Sequence, residues 1–239
     1  MEADTKQKFQ LLLLLAILLA GARTGYILYQ RHEENVTPAK KEAPPLDADD
    51  YVVPMKLHAY DLKSSRQLTR QPVWVKVGYS ITVYPYNAGS HHVDFSHEAG
   101  KLLPIEKLNI KDVILAVSPE APGQKQLMAI FARDREDYAF SFGAEENGNY
   151  RIFADDMLFI QDPHELYKHW SADTWQAIDQ HQLKKGMNQL QADFAVGLGY
   201  PEDSGDSNVK IVNYPNGGHP LTVTFAHKRI TEIKPGSAS

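Results

Sequence analysis

The chain has 239 residues, and 43% of them are hydrophobic, so a packed globular core is expected. Its formal net charge of −5 argues against a nucleic-acid-binding protein, whose affinity would come mainly from lysine and arginine on phosphates. The sequence contains no cysteine, which excludes disulfides, thiolate metal sites, a cysteine nucleophile and the lipid-modified cysteine of a bacterial lipoprotein.

Residues 1–30 predict a helix that targets the chain to a membrane. Residues 11–20 are an unbroken apolar run that follows two lysines. A signal peptide would be cleaved after Ala22, where small residues form the cleavage site. An uncleaved anchor would use residues 9–29, the length needed to cross the hydrocarbon core. Both alternatives predict export: a protein anchored in the inner membrane and facing the periplasm or, after cleavage, a periplasmic or secreted protein.

Residues 31–50 predict a disordered linker, because they are charged, rich in proline and alanine, and without periodicity. Residues 51–160 predict a β-rich module. Their β-branched and aromatic runs recur between turns rich in glycine, proline and asparagine, which is typical of a small barrel or sandwich, and an SH3-like barrel would fit the size. The predicted strands are two within residues 71–86 and one in each of 108–117, 125–132, 138–142 and 150–153.

Residues 161–239 predict an α+β module, because the apolar periodicity becomes helical at Asp162. Asp162, Ser171 and Asn188 stand where helix N-caps are expected, the first and third with capping-box spacing, and Gly197 ends the last helix. Three alternating segments then predict strands at residues 209–214, 221–225 and 229–233. The whole chain is therefore expected to be α+β: an N-terminal membrane or signal helix, a small β-barrel-like module, and an α-α-β-β-β module.

The segment GMNQLQADFAVGLGYP, residues 186–201, and the strands after it resemble the BamE-like family, also called SmpA/OmlA, of small outer-membrane assembly factors. The resemblance covers residues 174–234, and it implies an α-α-β-β-β fold, a non-enzymatic binding role in the cell envelope, and partners in β-barrel assembly. The chain departs from the family's pattern in its missing lipoprotein cysteine, in the acidic residues after Pro201, and in the β-rich region upstream. The matching positions are Gly186, Met187, Gln191, Gly199, Pro201, Tyr214, Phe225 and Ile233.

Residues 91–97, with the sequence HHVDFSH, hold three histidines and one aspartate, which are residue types that bind Zn²⁺. On a strand, successive side chains point to opposite faces, so neither face would gather three ligands. We therefore predict a polar turn or an edge strand here, and no metal or other cofactor.

Aromatic residues near the predicted helices form the candidate interaction surface. Of these, Tyr167, Trp170 and Trp175 are expected to pack the two modules together rather than to bind a ligand. The five candidates are Tyr167, Trp170, Trp175, Tyr200 and Tyr214.

The function predicted from the sequence is that of a non-enzymatic bacterial envelope protein, tethered to the membrane by its N-terminal helix and binding protein partners or other envelope components. The alternative is a metal-dependent or other hydrolase that uses residues 91–97 and 162–170. It predicts a concave pocket in which His97, His164 or His169 meets a carboxylate.

Overall fold

The computed structural model describes residues 2–34, 46–206 and 208–236. The chain divides into two compact units, Met1–Leu46 and Asp47–Ser239. The fold is α+β, with an N-terminal apolar helix and a curled antiparallel sheet that forms a half-barrel. This confirms the predicted α+β class and the N-terminal helix. The predicted linker falls largely on residues 35–45, which lie outside the described residues.

The described residues of the first unit contain one helix, α1 (Glu2–Glu34), so the predicted linker is helical from residue 31 as far as Glu34. Its stretch Leu13–Arg31 has a mean hydropathy of 1.4, and every side chain in that stretch is exposed. By length and composition this stretch could cross a membrane, and a signal sequence would have the same properties.

The second unit begins with a 3-10 helix, Ala48–Tyr51, where the sequence predicted disorder through residue 50. Asp47 caps this turn: its side chain accepts a hydrogen bond from the Ala48 amide at 2.7 Å, and its own amide donates to Asp50 at 2.8 Å. The linker prediction was wrong here because the acidic residues that suggested disorder act as helix caps.

Nine strands form the β-rich region, in two antiparallel sheets with the orders β4-β1-β9 and β3-β2-β7-β6-β5, and β8 also pairs with β7. The predicted strands are present, but the larger sheet does not close into a barrel, since β3 and β5 are edge strands among the described residues. The strands are β1 (Val73–Val75), β2 (Val83–Asn87), β3 (His92–Val93), β4 (Lys107–Leu108), β5 (Ile110–Val117), β6 (Lys125–Arg133), β7 (Glu136–Glu146), β8 (Asn149–Ile152) and β9 (Leu158–Phe159).

Helices precede β1 and separate the later strands. Before β1 come α2 (Leu62–Ser65) and a second 3-10 helix, Arg66–Arg70. The remaining helices are α3 (Ala154–Met157), α4 (Pro163–Leu166), α5 (Ala172–Asp179), α6 (Gln189–Val196) and a third 3-10 helix, Asn216–Gly218.

The predicted helix caps are confirmed in position. Ser171 accepts a hydrogen bond from the Thr174 amide, and Asn188 forms a complete capping box with Gln191. Asp162 caps α4 through the amide of His164, so the capping box predicted there with Glu165 does not form.

The C-terminal sheet has four antiparallel strands in the order β10-β11-β12-β13, one more than predicted. The additional strand, β10, pairs Pro201 with Val212. It was missed because it is short and contains a proline, which a strand accepts mainly at a sheet edge. The strands are β10 (Tyr200–Glu202), β11 (Val209–Tyr214), β12 (Leu221–Ala226) and β13 (Arg229–Pro235).

The β-rich and C-terminal regions share part of one core. The cluster of buried residues under the C-terminal sheet includes Trp74, Ile105 and Phe159, all from the β-rich region. The Phe159 ring packs edge-to-face on Phe194 of α6, with 5.5 Å between the ring centres. The boundary predicted at residue 160 therefore runs through a region of shared packing.

Candidate functional site

The carboxylate of Asp49 joins the first turn of the second unit to the helices of the C-terminal region. Its Oδ1 atom accepts a hydrogen bond from Trp170 Nε1 at 2.6 Å and lies 2.6 Å from His169 Nε2. Its Oδ2 atom accepts from Asn188 Nδ2, also at 2.6 Å. The Asp49 side chain is only 13% exposed, so these three bonds replace most of its hydration.

Asn188 serves both the helix and this carboxylate. Its side-chain oxygen accepts from the Gln191 amide at 2.9 Å, which caps α6, while its side-chain nitrogen donates to Asp49. The orientation of the amide is therefore fixed from both sides. The start of α6 and the turn at Asp49 hold each other in place.

Two cavities lie beside the Asp49 turn, and both are lined by Asp47, Asp49 and Asn188. The first has a volume of about 470 Å³, and its lining is mainly polar. The second has a volume of about 640 Å³ and a partly apolar wall. Other residues of the first are His169, Ser171, Lys184, Lys185 and Arg229, and those of the second include Leu190, Val209, Lys210, Phe225 and Lys228.

In the segment 91–97, the Nδ1 atom of His97 lies 2.8 Å from the carboxylate of Asp94. Hydrogen bonds from Ser96 and His97 lower the pKa of Asp94 to about 2. Only His92 and Val93 of this segment form a strand, β3, at the sheet edge. The segment is thus an edge strand followed by a polar turn, as predicted.

His164 and His169, the other two histidines that the hydrolase alternative names, each contact a carboxylate. His164 lies between Asp162 and Asp179, at 3.1 Å from each, and its ring stacks on Trp175. His169 meets Asp49 in the polar cavity. Among the described residues, no group of three histidine, aspartate or glutamate side chains is arranged to hold a metal ion.

Four of the five aromatic candidates for the interaction surface lie in the core. Tyr167, Trp170, Trp175 and Tyr214 are each less than 10% exposed. Tyr167 and Trp170 both pack against Phe194, and Trp175 packs against Trp170. These residues therefore build the core, and of the five only Tyr200, at 67% exposed, is accessible to a partner.

Tyr200 lines a groove of about 760 Å³ at the end of α6, which we call the Tyr200 groove. Leu198, 44% exposed, lies in the same groove with Tyr79 and Lys101. A β-carbon at Gly217 would come within 2.7 Å of the Tyr79 ring, so the ring lies directly on backbone. The position of the Tyr79 ring could not be predicted from the sequence, because Gly197 and Gly217, which lie against the ring, are more than 100 residues away along the chain.

Asp193 is a partly buried carboxyl group on the central part of α6. Its Oδ1 atom accepts a hydrogen bond from the Tyr214 hydroxyl at 3.0 Å. Burial raises the pKa of Asp193 to about 6, against the opposing effects of the Tyr214 hydrogen bond and the positive charge of Lys210. Burial also raises the pKa of Tyr214, and the neighbouring Asp193 raises it further. This pair joins α6 to β11.

Comparison of the chain with protein-family models, curated proteins and solved structures found no match. The resemblance to the BamE-like family and the SH3-like interpretation therefore stay predictions.

Replacing Asp49 with alanine should destabilise the folded unit by about 2–3 kcal/mol, because the Trp170 and Asn188 donors would lose their acceptor in a partly buried place. Urea unfolding of the full chain in detergent, followed by tryptophan fluorescence, would measure this. The matched control is Asp173→Ala, which removes a carboxylate that is 73% exposed and paired with Lys184. We expect that control to cost less than about 1 kcal/mol. Equal losses in the two variants would contradict a structural role for Asp49.

The raised pKa of Asp193 predicts a pH-dependent stability. The folded state binds this proton more tightly than the unfolded state, so the free energy of unfolding falls as the pH rises from about 4 through 6. The loss should reach about 3 kcal/mol above that range.

Asp193→Asn keeps an acceptor for the Tyr214 hydroxyl and removes the charge. We expect it to be more stable than the wild type at pH 8 by about 2 kcal/mol, with the difference disappearing near pH 4. Urea unfolding across this range measures it, and the exposed Asp156, changed to asparagine, is the control. A stability difference that did not change with pH would rule out this account.

Proposed function

We propose that this protein is a non-enzymatic, membrane-tethered protein of the bacterial cell envelope that binds a protein partner on the periplasmic side. The observation that carries the proposal is the exposure of the apolar stretch Leu13–Arg31 of α1. Every side chain in Leu13–Arg31 is exposed, and the stretch is long and apolar enough to cross a membrane. The second unit has its own buried cores, so it needs no packing from this helix to cover its apolar residues.

The Tyr200 groove is the proposed binding site. Tyrosine is enriched at protein interfaces because its ring is apolar and its hydroxyl stays hydrated. Tyr200 and Leu198 are both exposed beside a concave surface, and Lys101 supplies a charge at its wall. The resemblance of residues 174–234 to the BamE-like family supports a binding role for the same region. We carry over the binding role and leave the identity of the partner open.

The test uses the full chain in a bacterial envelope, with a photo-crosslinking amino acid placed at Tyr200 and, as the control, at the exposed Val117. We expect the uncleaved chain to remain in membranes at alkaline pH. We also expect an adduct of one discrete size from position 200 that is lost with Leu198→Asp and is absent from position 117.

The two parts of the proposal can fail separately. A soluble chain that begins at Arg23 would show that α1 is a cleaved signal sequence, and the tether would be ruled out. A retained chain with equal labelling at the two positions would rule out the groove as the binding site.

One observation favours the alternative of a hydrolase: His169 meets the Asp49 carboxylate inside a concave cavity, as that alternative predicted. Two contacts favour a structural role for the pair instead. The carboxylate already accepts bonds from Trp170 and Asn188. The nearby Ser171 hydroxyl caps α5 and bonds to Thr174, so it is not directed at His169.

We expect His169→Gln and wild-type protein to give the same background rates on chromogenic ester and peptide substrates, with and without added Zn²⁺. A general base contributes about 100-fold or more to a reaction rate. A loss of that size in His169→Gln, with unfolding unchanged, would establish the hydrolase and overturn the binding proposal.

A further inference from the structure

Four large apolar side chains at the beginning of the second unit are exposed to solvent. Tyr51, Val53, Met55 and Tyr60 are 71%, 83%, 59% and 75% exposed. Single exposed apolar residues are ordinary on a protein surface. Four within ten residues form a cluster, and clusters of exposed apolar residues mark interaction sites.

The backbone of this segment is fixed by hydrogen bonds to the side chains of Asp155 and Gln161. The Met55 amide donates to the side chain of Gln161 at 2.8 Å, and the amides of Leu57 and His58 donate to the Asp155 carboxylate at 2.6 and 3.0 Å. Val52 and Leu57 pack against the two main cores. The exposed apolar side chains are therefore presented by a fixed segment.

The longer stretch 51–70, which includes these side chains, is basic in a chain that is acidic overall. Residues 51–70 contain four basic side chains and one acidic side chain, a net charge of +3, whereas the whole chain carries −5. All four basic residues are exposed, and Arg66 lies 3.8 Å from the exposed Asp112. The four are Lys56, Lys63, Arg66 and Arg70, and the acidic residue is Asp61.

The stretch also follows the proposed membrane helix closely along the chain. Only residues 35–45 separate the end of α1 from Leu46, and such a stretch can span at most about 40 Å. Exposed tyrosine and apolar side chains at residues 51–60, with exposed lysine and arginine at residues 56–70, are what a phospholipid interface accepts: the apolar groups enter the headgroup region, and the basic groups pair with anionic phosphates.

We infer that residues 51–70 form a lipid-contact surface that docks the folded unit on an anionic phospholipid membrane. The inference rests on the proposed function, because the tether by α1 is what keeps this surface at the membrane. It adds a second, reversible contact to the anchor. Each basic residue near an anionic surface contributes about 1 kcal/mol, so removing two of them should weaken docking about 30-fold.

The absence of cysteine from the chain makes a site-specific test direct. The full chain is labelled with one fluorophore at Val53→Cys or, as the control, at Val117→Cys, which is also apolar and exposed. Each labelled chain is placed in nanodiscs that contain brominated phosphatidylcholine with or without phosphatidylglycerol. Quenching of the fluorophore by the brominated lipid reports contact with the membrane.

We expect strong quenching at position 53 only with phosphatidylglycerol present, and weak quenching at position 117 in both lipid mixtures. The double variant Lys56→Ser, Lys63→Ser should have a smaller docked fraction, because we expect its membrane-binding constant to be about 30-fold weaker. Unchanged tryptophan fluorescence would show that this variant stays folded.

Equal quenching at positions 53 and 117 in chains that co-purify with the nanodisc would overturn the lipid contact and leave the tether standing. Quenching at position 53 that is the same without phosphatidylglycerol would overturn the role of charge. A signal that depends on having two chains in each disc would overturn the lipid contact in favour of a second copy. A chain that does not enter the nanodisc at all would instead contradict the proposed function.

Discussion

The arrangement of the C-terminal helices depends on the hydrogen bonds that the Asp49 carboxylate accepts. A carboxylate that is 13% exposed has lost most of its hydration, and its burial is favourable only because three donors surround it. Those donors come from two places in the chain, at residues 169–170 and at Asn188. One side chain therefore fixes the position of the Trp170 ring and the first turn of α6 together.

The orientation of Trp170 carries this constraint into the core. Its ring packs against Phe194 of α6, and Phe194 also contacts Phe159 at the end of the β-rich region. Aromatic rings in edge-to-face contact add directional preference to the burial of apolar area. The contacts run without a break from Asp49 to β9, which explains why aromatic residues expected at a surface are core residues. These aromatic residues connect the β-rich and C-terminal regions through the core and not at the surface.

Local patterns in the sequence predicted local structure, and contacts between distant segments could not be predicted from it. Alternation of apolar residues gave the strands of the half-barrel, and Ser171 and Asn188 gave the starts of α5 and α6, because each signal acts within a few residues. Asp49 bonds to Asn188, 139 residues away, and no nearby residue signals this pairing. The spacing of strands along the sequence also does not predict whether a sheet closes, because closure depends on strand tilt and stagger. A barrel was therefore expected where a half-barrel forms. The burial of Tyr214 could not be predicted for the same reason, since it results from the contact of β11 with α6, whereas Tyr200 on the edge strand β10 stays exposed.

The two ends of α6 have different surroundings. Its N-terminal end is bound to Asp49, where the chain arrives from the proposed tether, and its C-terminal end leads through Gly197 into the Tyr200 groove. Eight residues of helix put these ends about 12 Å apart. Between them, the Asp193–Tyr214 hydrogen bond attaches α6 to the sheet. A partner in the groove would therefore contact a helix whose far end is fixed by the incoming chain, and binding there would not require the Asp49 turn to be displaced. In the proposed function, a partner in the Tyr200 groove would thus lie at the end of α6 that is remote from the Asp49 turn, where the chain enters the second unit.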